Sequence, residues 1–222
     1  MTRIDRLFVL WAPKRRRHVI GTLSREGDEF TFRYADDLEE PRRENFEGLI
    51  GFPLEKREFR SRHLFAAFSH RIPSPARPDF KMLLDDWGVE NPDDALEILA
   101  RSGGLQVMDR IELAEYRPPD DRLETPLSFR VAGQAYGADP KAIAIANGDP
   151  LELVHEPDNP FDASAVAVRA RDHTMLGYVP RQYSHMLSSL MSTGLPISVA
   201  ATRRILVPGD GYRWVVRAQR QS

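Results

Sequence analysis

Over residues 6–34 apolar positions recur in three short runs. Leu7–Trp11 is apolar throughout, His18–Ser24 alternates, and Phe30, Phe32 and Tyr34 alternate with polar neighbours at period two. Such alternation marks half-buried strands. Ala12–Arg17 and Arg25-Glu26-Gly27-Asp28 separate the runs as polar turns, so the pattern predicts a three-stranded meander. The period then lengthens. Leu64, Phe65 and Phe68 share a helical face, and Phe80, Leu83, Leu84 and Trp87 predict a helix over 80–87. Asn91-Pro92-Asp93-Asp94 reads as a helix start with Asn91 as the cap, followed by Ala95, Leu96 and Leu99. Ser102-Gly103-Gly104 ends that helix.

Residues 116–126, Tyr-Arg-Pro-Pro-Asp-Asp-Arg-Leu-Glu-Thr-Pro, favour neither helix nor strand and predict a polar linker. The expected organisation is an α+β domain over 1–115, the linker 116–126, and a second domain over 127–222. In the second domain Leu127–Tyr136, Pro150–His155, Ala165–Arg169 and Leu176–Val179 read as strands. Arg181–Thr193 reads as a helix with Met186, Leu187, Leu190 and Met191 on its apolar side, ended by Gly194. Pro196–Leu206 and Tyr212–Ala218 complete the strands. Six short strands and one helix suggest a small mainly-β barrel, closed or partly open.

Charge is uneven. The 222 residues carry a formal net charge of -2, but residues 163–222 hold eight Arg against two Asp, a net of +6. Guanidinium groups suit phosphate because their donors form a flat fork. An excess of this size also fits an ordinary solvated surface. The chain has no cysteine, which removes disulfides, thiolate zinc sites and cysteine nucleophiles. No run reaches the roughly 18 apolar residues of a membrane span. The expectation is a cytoplasmic chain with no membrane contact.

The most informative stretch is Leu151–Val168. Its core is Glu156-Pro157-Asp158-Asn159-Pro160-Phe161-Asp162, followed by Ala165-Val166-Ala167-Val168 and then Gly177-Tyr178-Val179-Pro180. This order resembles the HIRAN family, over about 128–217. The resemblance implies an OB-like barrel that grips the free 3′ end of a single DNA strand. Residues 6–106 resemble the N-terminal subdomain of HipA-type toxin kinases, through Val19-Ile20-Gly21-Thr22-Leu23, Phe30-Thr31-Phe32-Arg33-Tyr34 and Gly51-Phe52-Pro53-Leu54. That resemblance implies a cap without its kinase, since no Gly-rich phosphate loop or catalytic Asp loop follows.

A strand end offers a base, a sugar hydroxyl and phosphates. The base calls for an aromatic face, the phosphates for Arg or backbone N–H groups, and the hydroxyl for an acceptor such as a carboxylate. The HIRAN resemblance places Phe161 and Asp162 at the terminal nucleotide, with Asn159 in the same turn. It also places Tyr136 on the first strand, Tyr178 and Arg181 at the start of the helix, and Tyr212 past the last turn. Ala135 stands where the family often has Arg. Read without the family, Phe161 is equally a core plug, Asp162 a cap, and Asp158 and Asn159 residues that bond their own turn.

Other chemistry finds little support. His63 and His70 lie about 11 Å apart along a helix, too far to share an ion. His155 and His173 could meet across strands. Asp36-Asp37, Asp85-Asp86 and Asp93-Asp94 read as helix-end and surface acids. The resulting expectation is a non-enzymatic protein without cofactor or metal, binding single-stranded DNA or DNA 3′ ends in repair, replication stress or defence. A helicase, nuclease or kinase-like protein is the expected protein partner. Two alternatives stand beside it: a regulatory module acting on a kinase-like toxin or helicase-type partner, and a nuclease or hydrolase with a dispersed metal site.

Overall fold

A computed structural model describes residues 3–13, 16–106, 110–133, 145–207 and 211–221, and the side chains of 206, 207, 211 and 212 fall outside that description. The chain divides into two compact units, Met1–Tyr116 and Arg117–Ser222.

The first unit is built on the expected meander. Strands β1 (Arg6–Trp11), β2 (His18–Glu26) and β3 (Glu29–Tyr34) pair antiparallel, flanked by β4 (Glu58–Ser61) and β5 (Ile111–Glu115) in the order β4-β3-β2-β1-β5. Period two delivers Leu7, Val9, Leu23, Phe32 and Tyr34 to one buried face, and Ile20, the extra residue at the β1–β2 register shift, is buried in the same core. Phe52 and Phe68 pack edge-on or tilted against Phe32. The buried Tyr34 hydroxyl donates to Phe52 O at 2.6 Å and accepts from Leu49 N at 2.8 Å, so its polar end is satisfied.

Helices α1 (Glu39–Arg43), α2 (Ala66–Ser69), α3 (Phe80–Trp87) and α4 (Ala95–Ser102) complete this unit. Asn91 does not cap α4. Asp94 does, accepting from Leu96 N and Glu97 N, while Asn91 Oδ1 accepts from Asp93 N and only starts the preceding turn. Two contacts select Asp94. Arg25 reaches it at 2.9 Å, and the Glu97 carboxylate takes the Glu90 and Asn91 N–H groups.

The second unit contains β6 (Leu127–Arg130), β7 (Pro150–His155), β8 (Val166–Ala170), β9 (Met175–Tyr178), α5 (Arg181–Ser192), β10 (Ile197–Val207) and β11 (Gly211–Arg220). The strands form one antiparallel sheet ordered β6-β11-β10-β7-β8-β9. Its two edges meet. Beyond β6, Ala132 bridges to Tyr178 on β9, and the two residues exchange N–H···O bonds of 2.8 Å each. The sheet thereby closes on itself. Gly177 makes this closure possible: its φ is +141°, and a Cβ there would lie 2.4 Å from Ala132 O. Leu127, Phe129, Val166, Val168, Leu176, Val199, Val216 and Ala218 fill the interior, and α5 contributes Tyr183, Met186 and Leu187. The expected α+β first half and small OB-like barrel with one helix both hold.

The segment read as a linker has internal order. Arg117 is 7% exposed. Its guanidinium donates to Asp121 Oδ2, Thr125 O, Thr125 Oγ1 and Pro126 O at 2.7–3.2 Å. Leu123, held at φ +53°, is 2% exposed. One buried cation therefore winds residues 117–126 into a compact loop within the second unit.

Candidate nucleic-acid interface

The β7–β8 ladder ends where His155 faces Val166, and a ten-residue excursion with two prolines follows. Glu156 N still bonds Ala165 O at 2.9 Å, so the loop is pinched at its base. Inside the pinch each turn has its own acceptor. Asn159 N donates to Glu156 O at 3.0 Å, and Phe161 N to Asn159 Oδ1 at 3.0 Å. Asp162 takes Ser164 N on Oδ1 and Ala165 N on its carbonyl, both at 2.9 Å. The bonds to Asn159 Oδ1 and Asp162 Oδ1 are the side-chain-to-backbone bonds that Asn and Asp make in turns.

Glu156 is the hub that fastens this loop to the sheet. Its carboxylate accepts from Asn159 Nδ2 at 3.1 Å, Tyr178 Oη at 3.1 Å and Arg169 Nη2 at 3.2 Å. Asn159 lies in the loop, Tyr178 on β9 and Arg169 on β8. The Asn159 bond, followed by those from Tyr178 and Arg169, outweighs desolvation and holds the Glu156 carboxyl below its ordinary value. Burial, then the bond to Glu156, pushes the Tyr178 phenol up.

Phe161 is the outlier of this arrangement. It is 90% exposed on a loop whose backbone is bonded on both sides of it. The core-plug reading is therefore excluded. An aromatic ring on an ordered turn can receive a flat apolar partner with little further loss of conformational freedom. Asp162 is half-buried. Oδ1 caps the turn, and Oδ2 accepts no hydrogen bond among the described residues.

The structure thus brings together four of the seven sequence-expected residues. Phe161 and Asp162 present a ring and a carboxylate. Asn159 and Tyr178 meet on Glu156, so their polar groups hold the loop. Arg181 opens α5 as an exposed residue directly after Pro180, a helix start with no side-chain cap and no acid in its first turn. Tyr136 lies outside the described residues. Tyr212 pairs with Leu206 in the β10–β11 ladder, and its side chain lies outside the described residues. Sequence reasoning missed Glu156 and Arg169 as organising residues, although the Glu156/Asn159 spacing of three is a turn-bonding signal. His155 and His173 do not meet: His155 Nε2 lies 2.9 Å from Ala163 O, and His173 sits 3.4 Å from Glu152. Among the described residues no group of three or more His, Cys, Asp or Glu could hold a metal ion, and no helix is long and apolar enough to cross a membrane.

Two solved structures are similar to part of this chain. One is the HIRAN domain of human HLTF, at 17% identity and a TM-score of 0.36, covering 43% of this chain and 74% of that one. The other is a protein from Lactobacillus plantarum, at 22% identity and a TM-score of 0.33, covering 43% of this chain and 99% of that one. No curated protein matches the chain. Residues 127–205 match the HIRAN domain family, a span that begins at β6 and includes the whole Glu156–Asp162 loop and Gly177-Tyr178-Val179-Pro180, and does not reach the first unit. The second unit of this chain carries a HIRAN domain.

Proposed function

We propose that the second unit is a DNA-binding module that receives the 3′ end of a single strand on the Glu156–Asp162 loop. The observation that carries this reading is Phe161, 90% exposed yet held on a turn that is bonded on both sides of it, inside the span that matches the HIRAN domain family. Phe161 stacks the terminal base. The Asp162 carboxylate accepts from the terminal 3′-hydroxyl through Oδ2. Arg181 and the N–H groups of the first turn of α5 take a phosphate. Asn159 and Tyr178 contribute through Glu156, which fixes the loop, and Tyr178 offers its ring edge beside Gly133. The unit binds and does not transform its ligand; catalysis in repair, replication stress or defence belongs to a helicase, nuclease or kinase-like partner.

A panel of single-stranded, duplex, 5′-overhang and 3′-overhang DNA at stated salt tests the reading, because phosphate contacts make affinity depend on salt. Single strands and 3′ overhangs bind best. Phe161→Ala weakens binding by about 1–3 kcal/mol and leaves the melting temperature in place, since the ring has little to lose on the surface. Equal binding of all four DNAs, or an unaffected Phe161→Ala, overturns the end-binding reading.

A further inference from the structure

Two neighbouring residues at the end of β7 hold the candidate loop by opposite arms. Glu156 holds the entry arm. Its carboxylate accepts from Asn159 Nδ2, and Asn159 Oδ1 in turn accepts from Phe161 N. His155 holds the exit arm, with Nε2 at 2.9 Å from Ala163 O. A carbonyl oxygen can only accept, so Nε2 carries a proton and donates it to this bond. Ala163 directly follows Asp162, so the bond fixes the chain one residue from the carboxylate.

The two anchors belong to opposite faces of the sheet. His155 pairs with Val166 and Leu153 with Val168, and both valines are buried in the barrel interior. Directly paired residues share a face, so His155 has the interior parity, at the very end of the ladder. Glu156 has the other parity and there meets Arg169 and Tyr178. The remaining bonds of the exit arm are local: Ser164 N donates to Asp162 Oδ1 and Ala165 N to Asp162 O. They shape the turn without tying it to a strand. Above the pinch at Ala165, the tie from sheet to exit arm is the His155 imidazole. Ala163 is exposed, so losing the bond leaves a carbonyl that water can satisfy. The bond therefore matters more for position than for folding.

We infer that His155 is a positioning residue for end selection: it sets the Asp162 carboxylate, while Glu156 sets the Phe161 ring. Choice of terminus and stacking of the base thus have separate anchors. The inference rests on the end-binding reading above and extends it to a residue outside the Glu156–Asp162 loop, one that acts through Asp162.

The test uses the full chain and two single strands of one sequence, ending in a 3′-hydroxyl or a 3′-phosphate, with urea unfolding in parallel. His155→Leu lowers the hydroxyl-to-phosphate affinity ratio as far as Asp162→Ala does. His155→Gln restores it, because its amide places an N–H where Nε2 stands; His155→Asn, one bond shorter, does not. Glu156→Ala weakens both strands alike and leaves the ratio in place. In the Asp162→Asn background His155→Leu changes the ratio no further, and in the Phe161→Ala background it changes the ratio as much as in wild type. If His155→Leu does not fold, His155→Gln and His155→Asn carry the comparison. A folded His155→Leu with the wild-type ratio, or a His155→Asn that matches His155→Gln, overturns the inference and leaves end recognition standing. A wild-type ratio of one overturns end selection and the inference together.

Discussion

Tyr178 is tied to Glu156 through its hydroxyl, at 3.1 Å, and to Ala132 through its backbone. The residue that closes the barrel is therefore also the residue that anchors the candidate loop. Closure and loop order are one structure, so the position of Phe161 depends on contacts made far from it in sequence.

Removing the hub tests this dependence. Glu156→Ala leaves Asn159, Tyr178 and Arg169 without their common acceptor and lowers stability by about 1–2 kcal/mol. Its larger expected effect is on binding, because Phe161 is no longer held. Glu156→Gln keeps one acceptor oxygen and falls between. Urea unfolding and an oligonucleotide titration separate the two effects. Unchanged binding by a folded Glu156→Ala would show that the loop orders itself.

The same carboxylate gives a pH dependence with a definite sign. Its folded pKa lies below the ordinary glutamate value, first because of the Asn159 hydrogen bond. Such a group stabilises the fold fully above the unfolded value, about 4.3, and the contribution disappears as pH falls through the folded value. The stability advantage of wild type over Glu156→Gln is therefore constant from neutrality to about pH 5 and shrinks below it. Thermal melts of both proteins across that range are the check. An advantage that grows with acidity contradicts the assignment.

Gly177→Ala breaks the closure. The new methyl meets Ala132 O, and φ +141° is foreign to alanine. Strain and a weakened closing bond together cost about 2–4 kcal/mol. Both Gly177→Ala and Val168→Ala are expected to destabilise, but only Gly177→Ala separates β6 from β9. Amide exchange at Ala132 and Tyr178 reports the difference directly.

Fragment boundaries follow from Arg117. A fragment over 117–222 keeps the guanidinium, its four acceptors and buried Leu123. A fragment over 127–222 loses all of them. The longer fragment is expected to unfold at clearly higher urea, and both should bind the same DNA. Equal stability would mean that the Arg117 loop contributes nothing to the second unit.

Much of this was legible in sequence, for local reasons. Pro150–His155 and Phe80–Trp87 appear with the bounds that alternation and helical spacing predict, because each is bounded by its own turn residues. The cap of α4 was misassigned because Asn-Pro-Asp-Asp offers several short polar caps, and Arg25, 69 residues away, decides among them. Strand β4 escaped notice because Phe59 is its only apolar residue; pairing with Phe32 on β3 makes it a strand. The signature loop could be found, but its hub could not. Arg169 and Tyr178 reach Glu156 from 13 and 22 residues away, through a register that only the folded sheet defines.

Asp162 offers the sharpest test of end recognition. Its Oδ1 is committed to Ser164 N, so a terminal hydroxyl would be met by Oδ2. A 3′-phosphate in that place sets two anions against each other on a half-buried surface, where screening is incomplete. Wild type should therefore bind 3′-hydroxyl strands clearly better than 3′-phosphate strands. Asp162→Asn keeps the cap through its amide oxygen, removes the charge, and should tolerate the phosphate best. Asp162→Ala loses cap, acceptor and repulsion together; it should bind both ends more weakly, with a narrowed ratio and a stability loss of about 1 kcal/mol. If Asp162 is only a turn cap, both variants shift stability and leave the hydroxyl-to-phosphate ratio at its wild-type value. The ratio is the decisive quantity, because uniform losses of active protein cancel from it. A wild-type ratio of one would refute end selection while leaving general single-strand binding intact.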